Sequence, residues 1–154
     1  MKITYKGDYA LKALFQLALR YGNDQEGVMS ISDITRLGDM PTKFLEQILL
    51  LLRRGGFVKS KRGIKGGFYL ARPPREITIG QIIRFIEGPI EPISCIEKDS
   101  YKGCNDLTSC IFRDVWKEVK NAISVVVDTL TFEELVLRYK EKNIGLKSVY
   151  DYSI

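Results

Sequence analysis

The sequence predicts a mainly α-helical fold carrying one small β-hairpin, and three observations predict it. Apolar residues recur at helical spacing over residues 8–22, again from Pro41 to Arg54, and again from Ile111 to Leu130. Two short apolar runs, Phe57-Val58 and Phe68-Tyr69-Leu70, flank the basic, glycine-rich Lys61-Arg62-Gly63-Ile64-Lys65-Gly66-Gly67. The length of 154 residues suits one domain, or a small domain with a helical extension.

In the first helix Ala10, Leu11, Leu14, Phe15, Leu17, Ala18 and Tyr21 follow helical spacing, and Gly22 is the stop. Asp8 lies in its first turn, where a carboxylate suits the helix dipole. After a polar turn over residues 23–27, Ser30 or Ser32 caps a short helix ending near Gly38. Pro41 then fits the first position of the next helix, with Thr42 near its N-terminus. A short helix, a glycine-containing turn and a longer helix make a helix-turn-helix pattern.

In the longer helix Leu45, Ile48, Leu49 and Leu52 form a core-facing stripe, whereas Lys43, Glu46 and Gln47 fall on another, near the N-terminal end. That end of the motif meets base edges in the major groove. Gln pairs with adenine and Glu accepts from cytosine, while Lys43 serves phosphate or guanine. The hairpin tip adds Lys61, Arg62 and Lys65, with glycines that permit a tight turn and close backbone approach. Arg62 suits a narrow minor groove. The spacing of a nucleotide-binding P-loop is missing. Residues 1–75 therefore read as a winged helix-turn-helix DNA-binding domain.

The charge distribution agrees. Residues 1–75 hold 14 Lys+Arg against 6 Asp+Glu, a net +8, whereas residues 76–154 hold 10 against 13, a net −3. A basic head of this kind is the footprint of a phosphate-binding surface. No apolar run approaches the roughly 20 residues of a membrane span, so a soluble, cytoplasmic protein without membrane partners is expected. Histidine is absent, which excludes a Ser-His-Asp or Cys-His apparatus and the usual Cys/His zinc finger; no enzymatic role is expected.

Pro73 and Pro74 close the head. Residues 76–110 form a connecting segment: a short helix over Ile77–Gly88 with Ile79, Ile82, Ile83 and Ile86 as its packing face, then a loop from Pro89. That loop carries Cys95, Cys104 and Cys110, separated by eight and five residues. Cysteines in a polar loop point to ligation or redox chemistry rather than to core packing. In the long helix from Ile111, Phe112, Trp116, Val119, Ile123, Val126 and Leu130 step by 4, 3, 4, 3 and 4, a heptad seam. The expected partner is the same helix of a second copy, with packing on the chain's own head as the alternative. Thr131-Phe132-Glu133-Glu134 reads as a capping box opening a last helix through about Lys142. Residues 111–142 thus form the dimerisation and C-terminal helices, and 143–154 a loosely held tail.

Taken together, these motifs resemble the Rrf-type transcription regulators, the family with IscR-, NsrR- and CymR-type members. The resemblance covers nearly the whole chain. It rests on Lys6-Gly7-Asp8-Tyr9-Ala10-Leu11, Phe44-Leu45-Glu46-Gln47, the tip from Lys61 to Leu70, Ile79-Gly80-Gln81-Ile82-Ile83, the three cysteines and Thr131-Phe132-Glu133-Glu134-Leu135. It implies a homodimer acting on a near-palindromic operator in double-stranded DNA. It also implies, as in the iron–sulfur members, a cluster held by Cys95, Cys104 and Cys110. Glu46, Gln47 and Arg62 match the DNA-reading residues of IscR-like members.

There are departures from the family pattern. The first cysteine gap is long, and the position of the IscR-like histidine ligand holds Arg113, which cannot donate to iron. NsrR-like members use an aspartate from the other subunit, which Asp8 matches; Glu97, Asp99, Asp106 and Asp114 are the other oxygen donors at hand. The reading-head similarity to IscR favours a 2Fe–2S over a 4Fe–4S cluster. The function expected is sensing of redox, iron–sulfur or nitric oxide status by a transcription regulator, a repressor in the first instance. A metal-free, thiol-switched or partner-regulated CymR-like protein, or a zinc-bound one, is the alternative.

Overall fold

The computed structural model describes residues 2–22, 27–96 and 109–151, the stretch 145–151 as backbone alone. Among these residues run α1 (Tyr5–Arg20), α2 (Ile31–Gly38), α3 (Thr42–Arg54), β1 (Val58–Lys61), β2 (Gly67–Leu70), α4 (Ile79–Glu87), α5 (Ile111–Thr129) and α6 (Phe132–Asp151). Short 3-10 turns cover Pro74–Glu76 and Ser94–Ile96. The fold is the mainly helical, single-hairpin architecture expected.

One core organises the head. Ala10, Ala13, Leu14 and Leu17 of α1 meet Ile34 of α2 and the stripe Leu45, Ile48, Leu49 and Leu52 of α3, all buried. Burying each of the larger side chains is worth roughly 1.5–3 kcal/mol. The helix boundaries follow from caps. α1 starts three residues before Asp8 because Thr4 caps it, its hydroxyl accepting from the Gly7 amide. Ser30, rather than Ser32, caps α2, accepting from the Asp33 amide at 3.1 Å. Asp39 ends α2 in the left-handed region at φ 49°, which aspartate tolerates better than most side chains.

β1 and β2 pair antiparallel from Val58–Leu70 to Lys61–Gly67. The hairpin is pinned to the chain just before α2. The amide of Met29 donates to Phe68 and that of Phe68 to Met29, at 2.9 and 2.8 Å. Gly67 permits this: at φ 154° a side chain there would collide with the Met29 carbonyl oxygen. Arg53 at the end of α3 adds a bond from Nη1 to the Ser60 hydroxyl at 3.2 Å. Helix and hairpin are therefore held in one orientation.

A reciprocal capping box forms at α4, between Thr78 and Gln81. At α6 only half of the expected box is present. Thr131 accepts from the Glu134 amide, while the Glu134 carboxylate instead accepts from Arg138 at 3.1 Å. The backbone of α6 also stays helical beyond Lys142, to Asp151, so the tail expected from residue 143 is a helix for most of its length. The stretch contains no proline, and Asn143 donates from its side chain to the Tyr139 carbonyl instead of breaking the helix. Phe132 and Val136 of α6 join the head core beside α1, and Tyr139 meets Phe15 edge-to-face.

α5 is different in kind: no residue along it is buried. It is tied to the head at its far end, where Ile79 donates to the Leu130 carbonyl and Phe132 to that of Ile77, both at 3.0 Å. Arg84 of α4 grips Asp128 with two nitrogens, the second at 2.9 Å, and also reaches Ser124. This pairing raises the guanidinium's pKa above its ordinary value.

Candidate nucleic-acid interface and cysteine segment

The seven side chains that the sequence nominates for DNA all project into solvent: Thr42, Lys43, Glu46 and Gln47 on α3, and Lys61, Arg62 and Lys65 on the hairpin. Their exposure follows from α3's own periodicity. With Leu45, Ile48, Leu49 and Leu52 committed to the core, Lys43, Glu46 and Gln47 must stand on the opposite face. Tyr9 packs edge-to-face on Phe44 at 5.6 Å and steadies the first turn of α3 from behind.

Three more cations border this surface that spacing alone did not single out. Lys6 and Arg54 line one shallow groove with Gln47 and Phe44. Arg53 braces the hairpin through Ser60. The pair Arg53-Arg54 directly after the apolar stripe was the available signal. Lys6 had no such signal, because only the packing of α1 on α3 brings it near. The surface as a whole suits a polyanion: an exposed helix face able to hydrogen-bond base edges, beside a stiffened basic projection.

The cysteine segment is described at its two ends. Cys95 lies in the 3-10 turn Ser94–Ile96 and Cys110 caps α5; both are half-buried, free thiols. Cys104, with Glu97, Asp99 and Asp106, lies outside the described residues. Arg113 draws the two ends together. Its Nε donates to the Cys95 carbonyl at 3.2 Å, while its amide donates to that of Cys110 at 3.1 Å. Lys120 of α5 also pairs with Glu91 at 3.5 Å. Among the described residues no three Cys, Asp or Glu side chains converge as a metal site. The two thiols that are described are free and half-buried, and cysteine donors of this kind fit a soft-metal or iron–sulfur group.

Asp8 stands elsewhere on the molecule, half-exposed on α1 and paired with Lys12 at 2.7 Å. That hydrogen bond holds the Lys12 ammonium above the ordinary lysine pKa. Asp114 pairs with Lys117 one turn along α5 at 4.0 Å. Of the seam residues on α5, Phe112 is 68% and Val126 61% exposed, with Trp116 also exposed. Val119, Ile123 and Leu130 are half-buried. No helix of the described residues is long and apolar enough to cross a membrane.

Comparison with known proteins converges on one family. Residues 3–138 match the Rrf2 family model, described as an iron-dependent transcriptional regulator. The chain is similar to the HTH-type transcriptional regulator IscR of Aliivibrio salmonicida, 33% identical over 154 residues, covering 100% of this chain and 88% of that protein. Among solved structures it is similar to CymR, titled the global cysteine regulator of B. subtilis, with TM-score 0.75, 34% identity, and 90% and 98% of the two chains covered. The IscR of T. potens follows, with TM-score 0.73, 34% identity, and 92% and 90% covered. The chain thus belongs to the Rrf2 family, as a DNA-binding transcription regulator built on a winged helix-turn-helix.

Proposed function

We propose that this chain is a homodimeric regulator that reads a near-palindromic operator and senses redox, iron–sulfur or nitric oxide status through an iron–sulfur cluster. One observation carries the reading: free thiols at Cys95 and Cys110 bracket a single segment whose ends Arg113 fastens to the base of the exposed helix α5. Cys95, Cys104 and Cys110 would hold the cluster, with Asp8 of the second copy as the fourth donor, and a 2Fe–2S form is preferred over 4Fe–4S. When bound, such a group supplies one-electron redox chemistry and sensitivity to oxidants.

The chain's own residues supply the rest. The three thiols give up their protons to bind. The apolar seam Phe112, Trp116, Val119, Ile123, Val126 and Leu130 packs α5 against α5 of the second copy. Thr42, Lys43, Glu46 and Gln47 enter the major groove, and Lys61, Arg62 and Lys65 follow the flanking backbone and minor groove. Because the cysteine segment leads directly into α5, a change in its shape tilts the two heads relative to each other, and operator affinity depends on that spacing. Similarity to both IscR and CymR supports a second reading, in which the same segment works metal-free as a thiol switch.

Protein purified without oxygen tests both. Visible absorbance with matching iron and sulfide, lost on Cys95→Ala, Cys104→Ala or Cys110→Ala, supports the cluster, and a change of operator affinity after air supports sensing. Colourless, iron-free protein whose DNA binding responds to thiol oxidants supports the second reading instead.

A further inference from the structure

Ile64 stands at the apex of the hairpin and is 107% exposed, more than any other large apolar side chain described. A lone exposed isoleucine on an ordinary surface needs no explanation. Three features set this one apart. The Gly66 amide donates to the Gly63 carbonyl at 2.9 Å, closing a turn in which Ile64 and Lys65 are the central residues. The hairpin beneath is fastened by the Met29–Phe68 bonds and by Arg53 on Ser60, so the tip is presented in a set direction. Its neighbours Arg62 and Lys65 are exposed cations, so a polyanion is what approaches it.

We infer that Ile64 is a DNA-contacting residue of the wing, burying its side chain against the deoxyribose walls of the minor groove beside Arg62. The inference rests on the DNA-reading role proposed above. The minor groove is about 6 Å wide, and its walls are sugar edges with apolar faces. Cations at the tip are attracted to its negative potential, and apolar side chains that follow them into the groove pack on its sugar walls or wedge between base steps. Arg62 and Lys65 supply attraction that salt screens, whereas Ile64 supplies burial that salt does not. The two contributions are therefore separable by measurement.

The test uses full-length protein and 30-base-pair duplexes that the wild type selects from a random-sequence library. Ile64→Ala is expected to weaken binding roughly tenfold, consistent with loss of a partly buried side chain, with an unchanged slope of affinity against salt. Arg62→Ala is expected to lower that slope by about one. Hydroxyl-radical footprints, which report sugar accessibility from the minor groove, should lose protection at the wing position with Ile64→Ala and retain it with Ile64→Val. Wild-type affinity and an intact footprint for Ile64→Ala would overturn the inference while leaving the DNA-reading role standing. Failure of the wild type to select any sequence would overturn both.

Discussion

The Cβ of any residue replacing Gly80 would occupy the space now filled by the Asp128 carboxylate, so the glycine on α4 is what lets α5 lie close enough for Arg84 to grip Asp128. This pair ties the exposed helix to α4. The bidentate pair is about two-fifths exposed on both sides, and solvent screening reduces its worth to about 1 kcal/mol. Asp128→Asn should lower unfolding stability by about that amount in urea titrations. It should also weaken operator binding more than this loss of stability explains, because the heads lose their fixed angle to α5.

Gly67 is a sharper point of failure. Gly67→Ala brings a methyl group against the Met29 carbonyl at a φ that L-residues avoid, and the flanking bonds to Phe68 must open. A cost of about 2 kcal/mol is expected from the strain. The head should stay folded by circular dichroism, while proteolysis between residues 61 and 68 accelerates and DNA affinity falls.

Asp8 engages Lys12 in the single chain, so the same carboxylate is available as a ligand only if that pair opens. On the cluster reading proposed above, Asp8→Ala should leave the melting temperature nearly unchanged and speed the loss of iron under air. Lys12→Met should slow it by releasing the carboxylate. The ion pair's own contribution is fully present below the ordinary lysine value of 10.5 and fades as pH rises through the raised Lys12 value. The small margin in folding stability of wild type over Lys12→Met, read from urea midpoints, should therefore fade only in that alkaline range.

Val126, exposed on the seam of α5, gives the oligomer test. Val126→Glu places charge in the proposed helix pairing without touching the head core. Sedimentation at micromolar concentration should report monomer, with the head still folded and affinity for a two-half-site duplex reduced to that of a single half-site.

Much of the head was legible because its signals are local. The stripe Leu45, Ile48, Leu49 and Leu52 fixes by itself which face of α3 is buried, and therefore that Lys43, Glu46 and Gln47 are not. The glycines and cations from Lys61 to Gly67 announce a tight turn with an exposed basic tip. What was illegible is long-range. Arg84 and Asp128 are 44 positions apart, and Thr4 reaches Glu87 across 83, distances over which no periodicity speaks. Local chemistry also misled at Glu134, where the capping box loses to Arg138 one turn along, an equally good partner for the carboxylate. The end of α6 was set too early because Asn143 and Gly145 read as helix-stop residues, yet the backbone runs helically through both.

The return of α6 to the head has a consequence for how the protein is made. Phe132 and Val136 complete the apolar face of α1, whereas α5, which precedes them, adds nothing buried. During synthesis the head core therefore stays incomplete until residue 136 has cleared the ribosome, by which time the three cysteines and the whole of α5 have already emerged. A nascent chain interrupted within α5 would carry an unfinished reader that chaperones and proteases can recognise. The packing of the head thus reaches completion only after the cysteine segment and α5 have been made.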